Sequence, residues 1–410
     1  MLSPMVLIVG CHLLVNGGDI PAPLQCCFSC CAVVELFILL IMWNRKYNQP
    51  EDSMTKERNS IIELFRLISM WCVVAHHFVI HNADDISVFA SPVTRLIFKG
   101  VFLPIGKVAV GCFVFITVWF IADRASFSIK DAAKKLVILN NEVVFYSIIL
   151  GIISVITGSV QPSASFIVNT VFPIATGYGW WFTTSYAGLI LLLPYLLKGL
   201  RACGRKEHKY LAVSLSFAFG LFRYLPFVSF PAEGMLVDLI VLAIDICYFR
   251  WYINLNTTNW NKLALVGVAC FTLGISFLYL PYHSQGIIHD FSVNLFNGYV
   301  YSSANILSMG LSFAVSLSVF KLCLVFKLNS PGLNWIAGSA FAVYLITDYS
   351  LVQSWLWKSL FTFTNLGNQH GVLLVVLIPS FVMACCLTID IGRRTIDSHL
   401  ALVRNSTVRH

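Results

Sequence analysis

The sequence predicts an all-α membrane protein, a polytopic transmembrane bundle of ten core helices with one further candidate helix near the N-terminus. Of its 410 residues, 58% are hydrophobic and 11% are charged, whereas a soluble domain carries roughly a quarter charged residues. Apolar runs of about 18 residues or more recur along the whole chain, and each is long enough to cross a hydrocarbon layer of roughly 30 Å as a helix. The basic residues, in addition, are concentrated in alternate loops.

The ten core spans belong to a domain covering residues 54–392, which a basic tail follows at 393–410. We predict them near residues 61–80, 100–122, 136–157, 180–198, 210–227, 234–252, 262–281, 301–326, 334–357 and 371–391.

The distribution of positive charge predicts the orientation of the bundle. One set of alternate loops, together with the two flanking segments, holds 21 of the 27 Lys and Arg residues. Because positively charged loops stay in the cytoplasm, both ends of the ten-helix core are expected there. The net charge of +8 then reflects membrane topology and a lipid bilayer as partner, with no nucleic acid. We expect a multi-pass protein of the cell membrane.

Residues 1–53 form an N-terminal extension of different character. The stretch 27–43 is a further apolar helix candidate, and Met54 opens a charged lead-in to the first core helix, which makes it an alternative start. Thirteen cysteines lie mostly in apolar runs, where a thiol behaves as a small hydrophobic group. They predict no disulfide framework and no metal site, and the cluster at 26–31 is interpreted as apolar helix content.

Two loops predicted to lie outside are almost free of charge. Residues 159–179 carry none, and residues 282–300 carry only Asp290 beside two histidines. Both are rich in Ser, Asn, Gly and aromatic residues. Loops of this composition can fold back against a bundle and line a site that opens to the outside.

The first core helix carries the strongest candidate site, because an ionisable group within a membrane span costs roughly 3 kcal/mol. Arg66 and His77 are eleven residues apart, which returns them to one helix face, roughly 16 Å apart along the axis. Glu63 and His81 lie within about 60° of that line, whereas His76 points elsewhere. A buried Arg can bind phosphate, and a His can take a proton from a hydroxyl or accept an acyl group. In the alternative interpretation, Arg66 pairs with Glu63 and the histidines bond neighbouring carbonyls.

Three stretches resemble the integral membrane acyltransferase 3 family, in its branch of exopolysaccharide and cell-wall O-acetyltransferases. They are RNSIIELFRLISMWCVVAHHF, FPIATGYGWWFTTSYAGLILLLPYLL and LNWIAGSAFAVYLITDYSLVQSWLW. The first contains an Arg followed after ten residues by a His, which marks the first helix of that family. The resemblance runs in order from residue 58 to about residue 391.

The resemblance implies an acyl-CoA donor, most simply acetyl-CoA, that binds from the cytoplasm, and a carbohydrate acceptor whose hydroxyl is acylated. No permanently bound cofactor is expected. The site residues that we assign are catalytic His77, Arg66 and Glu63, donor-binding Arg66, Arg124, Lys134 and Lys135, and substrate-binding Trp181, Tyr186 and Asp348.

The chain departs from the family pattern in two places. The loop after the second core helix lacks the two arginines, spaced three apart, that relatives use to hold the donor. Lys134 and Lys135 can neutralise phosphates there as point charges without the bidentate fork of arginine; ordinary flanking charge is the alternative. Thr347 also stands before Asp348, where the family commonly has a His.

Several alternatives stay open. Trp181 and Tyr186 either form a platform for a sugar ring or sit at the membrane interface. Lys107 either snorkels or meets an anionic group on the substrate. Asp348, Asp238 and Asp245 are all available to orient a histidine. A transporter or flippase for a lipid-linked sugar would also use a polar stripe of Arg and His, and a membrane sensor would bind an acyl ligand without turning it over.

Overall fold

In a computed structural model, the described residues 59–228, 234–363 and 371–407 are mostly helical and form no strand. The candidate helix at 27–43 and the cysteine cluster at 26–31 lie outside these ranges. The α-helices are α1 Ser60–His81, α2 Ala83–Phe89, α3 Pro92–Ile97, α4 Leu103–Ala122, α5 Ile129–Ile156, α6 Ala164–Val171, α7 Pro173–Thr176, α8 Trp181–Gly220, α9 Met235–Tyr252, α10 Trp260–Tyr279, α11 Gly286–Tyr301, α12 Ile306–Val325, α13 Pro331–Ala337, α14 Ala340–Thr347, α15 Ser350–Trp355 and α16 Gly371–Thr407.

The membrane character of the chain is confirmed, whereas the predicted number of ten spans is not. Within the described ranges, seven helices are long and apolar enough to cross a membrane, or eight if the bent pair 331–347 and 350–360 forms one span. The helix α9 is not among them. It is 18 residues long and contains Asp238, Asp245 and Arg250, which reduce its apolar character.

A break at Gly204 accounts for another difference from the predicted spans. The predicted spans 180–198 and 210–227 fall in one candidate span, Trp181–Tyr224. At Gly204 the backbone has φ 71° and ψ 174°, which is not helical. Glycine adopts this conformation without the steric cost that a side chain would add. The two predicted spans are therefore the two arms of a helix that is interrupted within its charged middle.

The chain divides into two compact units. Among the described residues, the first unit comprises 133–184, and the second comprises 59–132 together with 185–407. In the first unit, Ser163 caps α6 by accepting a hydrogen bond from the amide of Phe166. The α6 side chains of Phe166 and Thr170 lie close to Gly151 of α5, so this unit is a small helical packing of its own.

The second unit is built around α1 and α4. In each of the spans that contain them, 67% of the most apolar stretch is buried, against 11% for the span at 260–283. Helix α4 packs against α1, α9, α11 and α12, and α1 also packs against α13, α14 and α16. Polar side chains on the inner face of α1 are therefore enclosed by protein, as the polar stripe in the sequence predicts.

Candidate functional site

The polar stripe begins where α1 begins. The Asn59 side chain accepts a hydrogen bond from the amide of Ile61, an N-cap that supplies an acceptor to a free helix-end donor. Further along, Glu63, His76 and His77 are buried at 4%, 7% and 8% exposure. Burying such groups is unfavourable unless each meets a partner, so their partners define what the site can do.

His77 faces Asp348. The His77 Nε2 atom lies 3.7 Å from Asp348 Oδ1, and the two side chains are 10% and 9% exposed. The distance exceeds that of a hydrogen bond, but the pair is enclosed, where electrostatic attraction is stronger than in water. Catalytic hydrogen bonds are often long before a substrate is bound. A carboxylate next to an imidazole holds its orientation and stabilises its charged form.

Asp348 lies at a break in its span. The helical segments 331–347 and 350–360 meet at an angle of 76°, and Asp348 has φ −95° and ψ −3°, a sparsely populated region in which active-site residues are often found. Gln353 Nε2 donates to Asp348 Oδ1 at 3.2 Å. The break therefore turns the carboxylate towards α1 and leaves it room to accept more than one donor.

Thr347 has a structural part in this break. Its hydroxyl is fully buried and donates to the carbonyl of Val343 at 2.8 Å. Such a bond to the carbonyl four residues earlier satisfies a buried hydroxyl and often bends a helix. Members of the acyltransferase 3 family commonly have a His at this position. Here the position holds Thr347, whose side chain is bonded within its own helix.

The other ring nitrogen of His77 is unpaired. The Nδ1 atom is buried and has no hydrogen-bond partner among the described residues. The His81 ring lies 6.1 Å from the His77 ring, nearly perpendicular to it. A buried nitrogen without a partner is costly, because it has lost water without regaining a hydrogen bond. It is therefore the atom of this site best suited to receive the proton of a bound hydroxyl.

His76 bonds a neighbouring carbonyl, as the alternative interpretation of the sequence expects. Its Nδ1 atom lies 2.5 Å from the carbonyl oxygen of Leu103, at the start of α4. A Cβ atom at Gly106 would collide with the His76 ring, so the absence of a side chain there lets the ring approach α4. His76 is a contact between two central helices, and His77 is the chemically available member of the pair.

Arg66 and Glu63 form an ion pair one turn apart on α1, also as the alternative interpretation expects. Arg66 is more open than its partner, with its side chain 28% exposed against 5% for Glu63. The hydroxyl of Tyr186 lies 3.1 Å from that of Thr117 and within electrostatic range of Arg66. Tyr186 is therefore associated with the Arg66 part of the stripe.

The loop after α4 is held by two arginines that the sequence did not single out. Arg201 donates to the carbonyls of Ala125 at 3.0 Å and Arg124 at 2.6 Å. Arg250 forms an ion pair with Asp123. The expected arginine pair is absent from the loop's own sequence, but distant helices bring two guanidinium groups to it. Sequence spacing along one segment cannot detect partners that are more than 70 residues away.

The remaining assigned residues belong to the first unit. Lys134 is exposed and Lys135 is half-buried, both near the start of α5. Trp181 is 39% exposed and lies edge-on to Phe182, with ring centroids 5.9 Å apart. The structure describes this unit by itself, so their roles as donor and sugar contacts stay predictions.

The three candidate carboxylates are distinguished by their neighbours. Asp245 accepts a hydrogen bond from Ser216 at 2.7 Å. Asp238 lies 3.0 Å from Arg223, whereas Asp348 faces His77. Lys107 is buried at 9% exposure and lies within electrostatic range of both Asp238 and Asp348. This burial does not fit a snorkelling side chain, and the carboxylates near Lys107 belong to the chain itself, so contact with an anionic group of the substrate stays a prediction.

Comparison with known proteins gives no match to any protein-family model, curated protein or solved structure. Among the described residues, no group of three or more His, Cys, Asp or Glu side chains could hold a metal ion. What the site can do therefore follows from its own geometry: an imidazole with one open nitrogen, an orienting carboxylate, and an arginine further along the same helix.

Proposed function

We propose that this chain is a membrane O-acyltransferase that moves an acyl group, most simply acetyl, from acyl-CoA to a hydroxyl of a cell-surface or lipid-linked carbohydrate. The observation that carries the proposal is the buried pair of His77 and Asp348, with Nε2 3.7 Å from Oδ1 and Nδ1 open. An imidazole oriented by a carboxylate is suited to general-base catalysis, which contributes about 10²–10⁴-fold. The resemblance of residues 58–391 to acyltransferase 3 supports the choice of donor and acceptor.

In this mechanism His77 Nδ1 takes the proton of the acceptor hydroxyl as its oxygen bonds to the thioester carbonyl carbon. The carbon–sulfur bond breaks, and the departing CoA thiolate takes the proton back from His77. Asp348 holds the ring and stabilises its charged form. An acyl carrier would use the same nitrogen; the base role is the one proposed here.

The donor is proposed to enter from the cytoplasm, where the positive-inside distribution puts Arg124, Arg201 and Arg250. Arg201 bonds to carbonyls and not to a carboxylate, so its positive charge remains to attract a phosphate. Arg66 lies roughly 16 Å from His77 along α1, a span that an extended pantetheine arm can cover.

The test measures release of free CoA from acetyl-CoA by membranes that carry the protein, with and without surface polysaccharide from the host. We expect release that depends on the polysaccharide and is matched by acetyl appearing on it. Binding of acetyl-CoA without any release would identify a sensor. Movement of a lipid-linked sugar across the membrane of vesicles without acetyl transfer would identify a transporter. The broken span at 347–350 favours this alternative, because transporter sites are typically formed by discontinuous helices.

A further inference from the structure

A cavity in the second unit is lined by residues other than His77 and Asp348. It has a volume of about 470 Å³, within the ~300–1,000 Å³ range of small-molecule sites. The residues around it come from the segment after α8, from α9 and from α11. Its polar lining consists of Arg223, Tyr224, Asp238, Asn294, Asn297 and Ser302.

One wall of the cavity is a neutralised polar network. Arg223 lies 3.0 Å from Asp238 and donates to the Tyr224 hydroxyl at 2.6 Å and to the Ser302 hydroxyl at 2.5 Å. Ser302 in turn donates to Asp238 at 2.5 Å. Because Asp238 compensates the charge of Arg223, this wall does not attract an anion strongly. It presents instead fixed donors and acceptors of both kinds.

Helix α11 contributes a second part of the lining, with two side-chain amides that form no hydrogen bond within the described residues. Asn294 is half-buried and Asn297 is exposed, and neither is hydrogen bonded to another described residue. A carboxamide has two donors and an acceptor oxygen, which suits a ligand whose groups also donate and accept. Tyr301, 55% exposed, adds an aromatic ring to the lining.

We propose that this cavity binds an uncharged, hydroxyl-rich unit, a neutral sugar residue of the carbohydrate acceptor. The choice of a carbohydrate acceptor rests on the proposed function. The choice of this cavity and of a neutral unit rests on the compensated ion pair, the open amides and the tyrosine ring.

The location of the cavity agrees with the proposed orientation. Its residues lie at or next to the predicted outer ends of spans, within 223–228, 234–238 and 294–302. Lys107 is within electrostatic range of Asp238 in the cavity and of Asp348 beside His77. A carbohydrate seated here would approach the His77 region from outside, opposite to the donor.

The test measures binding directly, with the full chain in nanodiscs on an array of immobilised neutral and acidic glycans. The variant joins Asn294→Ala and Asn297→Ala. Neither side chain has a hydrogen bond to lose, so the fold should be retained, which size-exclusion chromatography checks. The matched control is Asn261→Ala, since Asn261 is exposed on α10 and does not line the cavity. His77→Ala is measured alongside.

We expect the intact chain, Asn261→Ala and His77→Ala to bind a set of neutral glycans, and the double variant to bind them at least about tenfold more weakly, as loss of two hydrogen bonds implies. Equal binding by the double variant, binding confined to acidic glycans, or no glycan bound would overturn the assignment. Neutral-glycan binding without any acetyl transfer would instead reject the acyltransferase and leave this site standing.

Discussion

At the scale of single residues, two adjacent histidines of α1 differ in their neighbours. His76 is bonded to the carbonyl of Leu103, whereas His77 faces Asp348 and keeps one nitrogen open. The helical spacing predicts that His77 shares a face with Arg66, whereas burial does not separate the two histidines, which are 7% and 8% exposed. The sequence names Asp348 as one of three candidate carboxylate partners but does not choose among them, because Asp348 is 271 positions away from His77.

Replacing Asp348 by Asn tests the carboxylate alone, since the side chain keeps its shape and loses its charge. We expect acyl transfer to fall by about 10²-fold or more, with little change in the amount of folded protein. In the double variant with His77→Ala, the loss should be no larger than with His77→Ala alone, because the two groups act as one unit. If the fold-losses of the two single variants, measured by CoA release, multiplied in the double variant, a shared role would be contradicted.

Gly106→Ala tests the close approach of His76 to α4. The added Cβ atom would collide with the His76 ring, and forcing such a fit costs roughly 1–3 kcal/mol. We expect a lower melting temperature in detergent. Gly199→Ala is the matched control, since a Cβ atom there would meet nothing within 4 Å. Equal melting temperatures for the two variants would show that the ring contact is unimportant.

At the scale of elements, broken helices position the functional groups. The turn at 347–350 brings Asp348 to α1, and the break at Gly204 separates two arms of α8 around a charged segment. The sequence predicts both arms as separate spans, because the charged stretch between them interrupts the apolar pattern. It does not predict the 76° bend at Asp348, since Thr347 and Asp348 lie in an apolar stretch without Pro or Gly.

The loop after α4 is bonded by Arg201, which is distant from it in sequence, and this contact can be tested. Arg201→Gln removes the guanidinium that bonds the carbonyls of Arg124 and Ala125. We expect faster tryptic cleavage after Arg124, because the loop opens more often. Lys198→Gln, an exposed charge on the same helix, is the control and should leave the cleavage rate unchanged. Equal rates in both variants would exclude Arg201 as the fastening residue.

At the scale of the whole molecule, composition is sufficient to predict a helical membrane protein, but apolar length alone does not count its spans. The helix α9 carries Asp238, Asp245 and Arg250 and still buries nine residues inside the second unit. Asp238 pairs with Arg223 and Arg250 pairs with Asp123, and such pairing depends on the folded chain. Apolar length therefore misses α9, although it finds the enclosed spans that contain α1 and α4.

The proposed orientation is testable with a native thiol. Cys203 is exposed and adjoins the break at Gly204, on the side that the positive-inside distribution assigns to the cytoplasm. We expect a membrane-impermeant maleimide to label Cys203 in inverted vesicles and not in intact cells, as read by peptide mass spectrometry. A cysteine introduced by Ser284→Cys should show the reverse. Labelling of both from the same side would contradict the orientation.

The most direct test of the central claim is the O-acetyl content of surface polysaccharides in host cells that lack the protein and are then supplied with one of three forms. These are the intact chain, His77→Ala, and His283→Ala as a control at an exposed histidine, all at matched membrane levels. We expect the intact chain and His283→Ala to restore acetyl, and His77→Ala not to restore it. Restoration by His77→Ala would contradict this expectation, and so would acetylation that is the same with and without the protein.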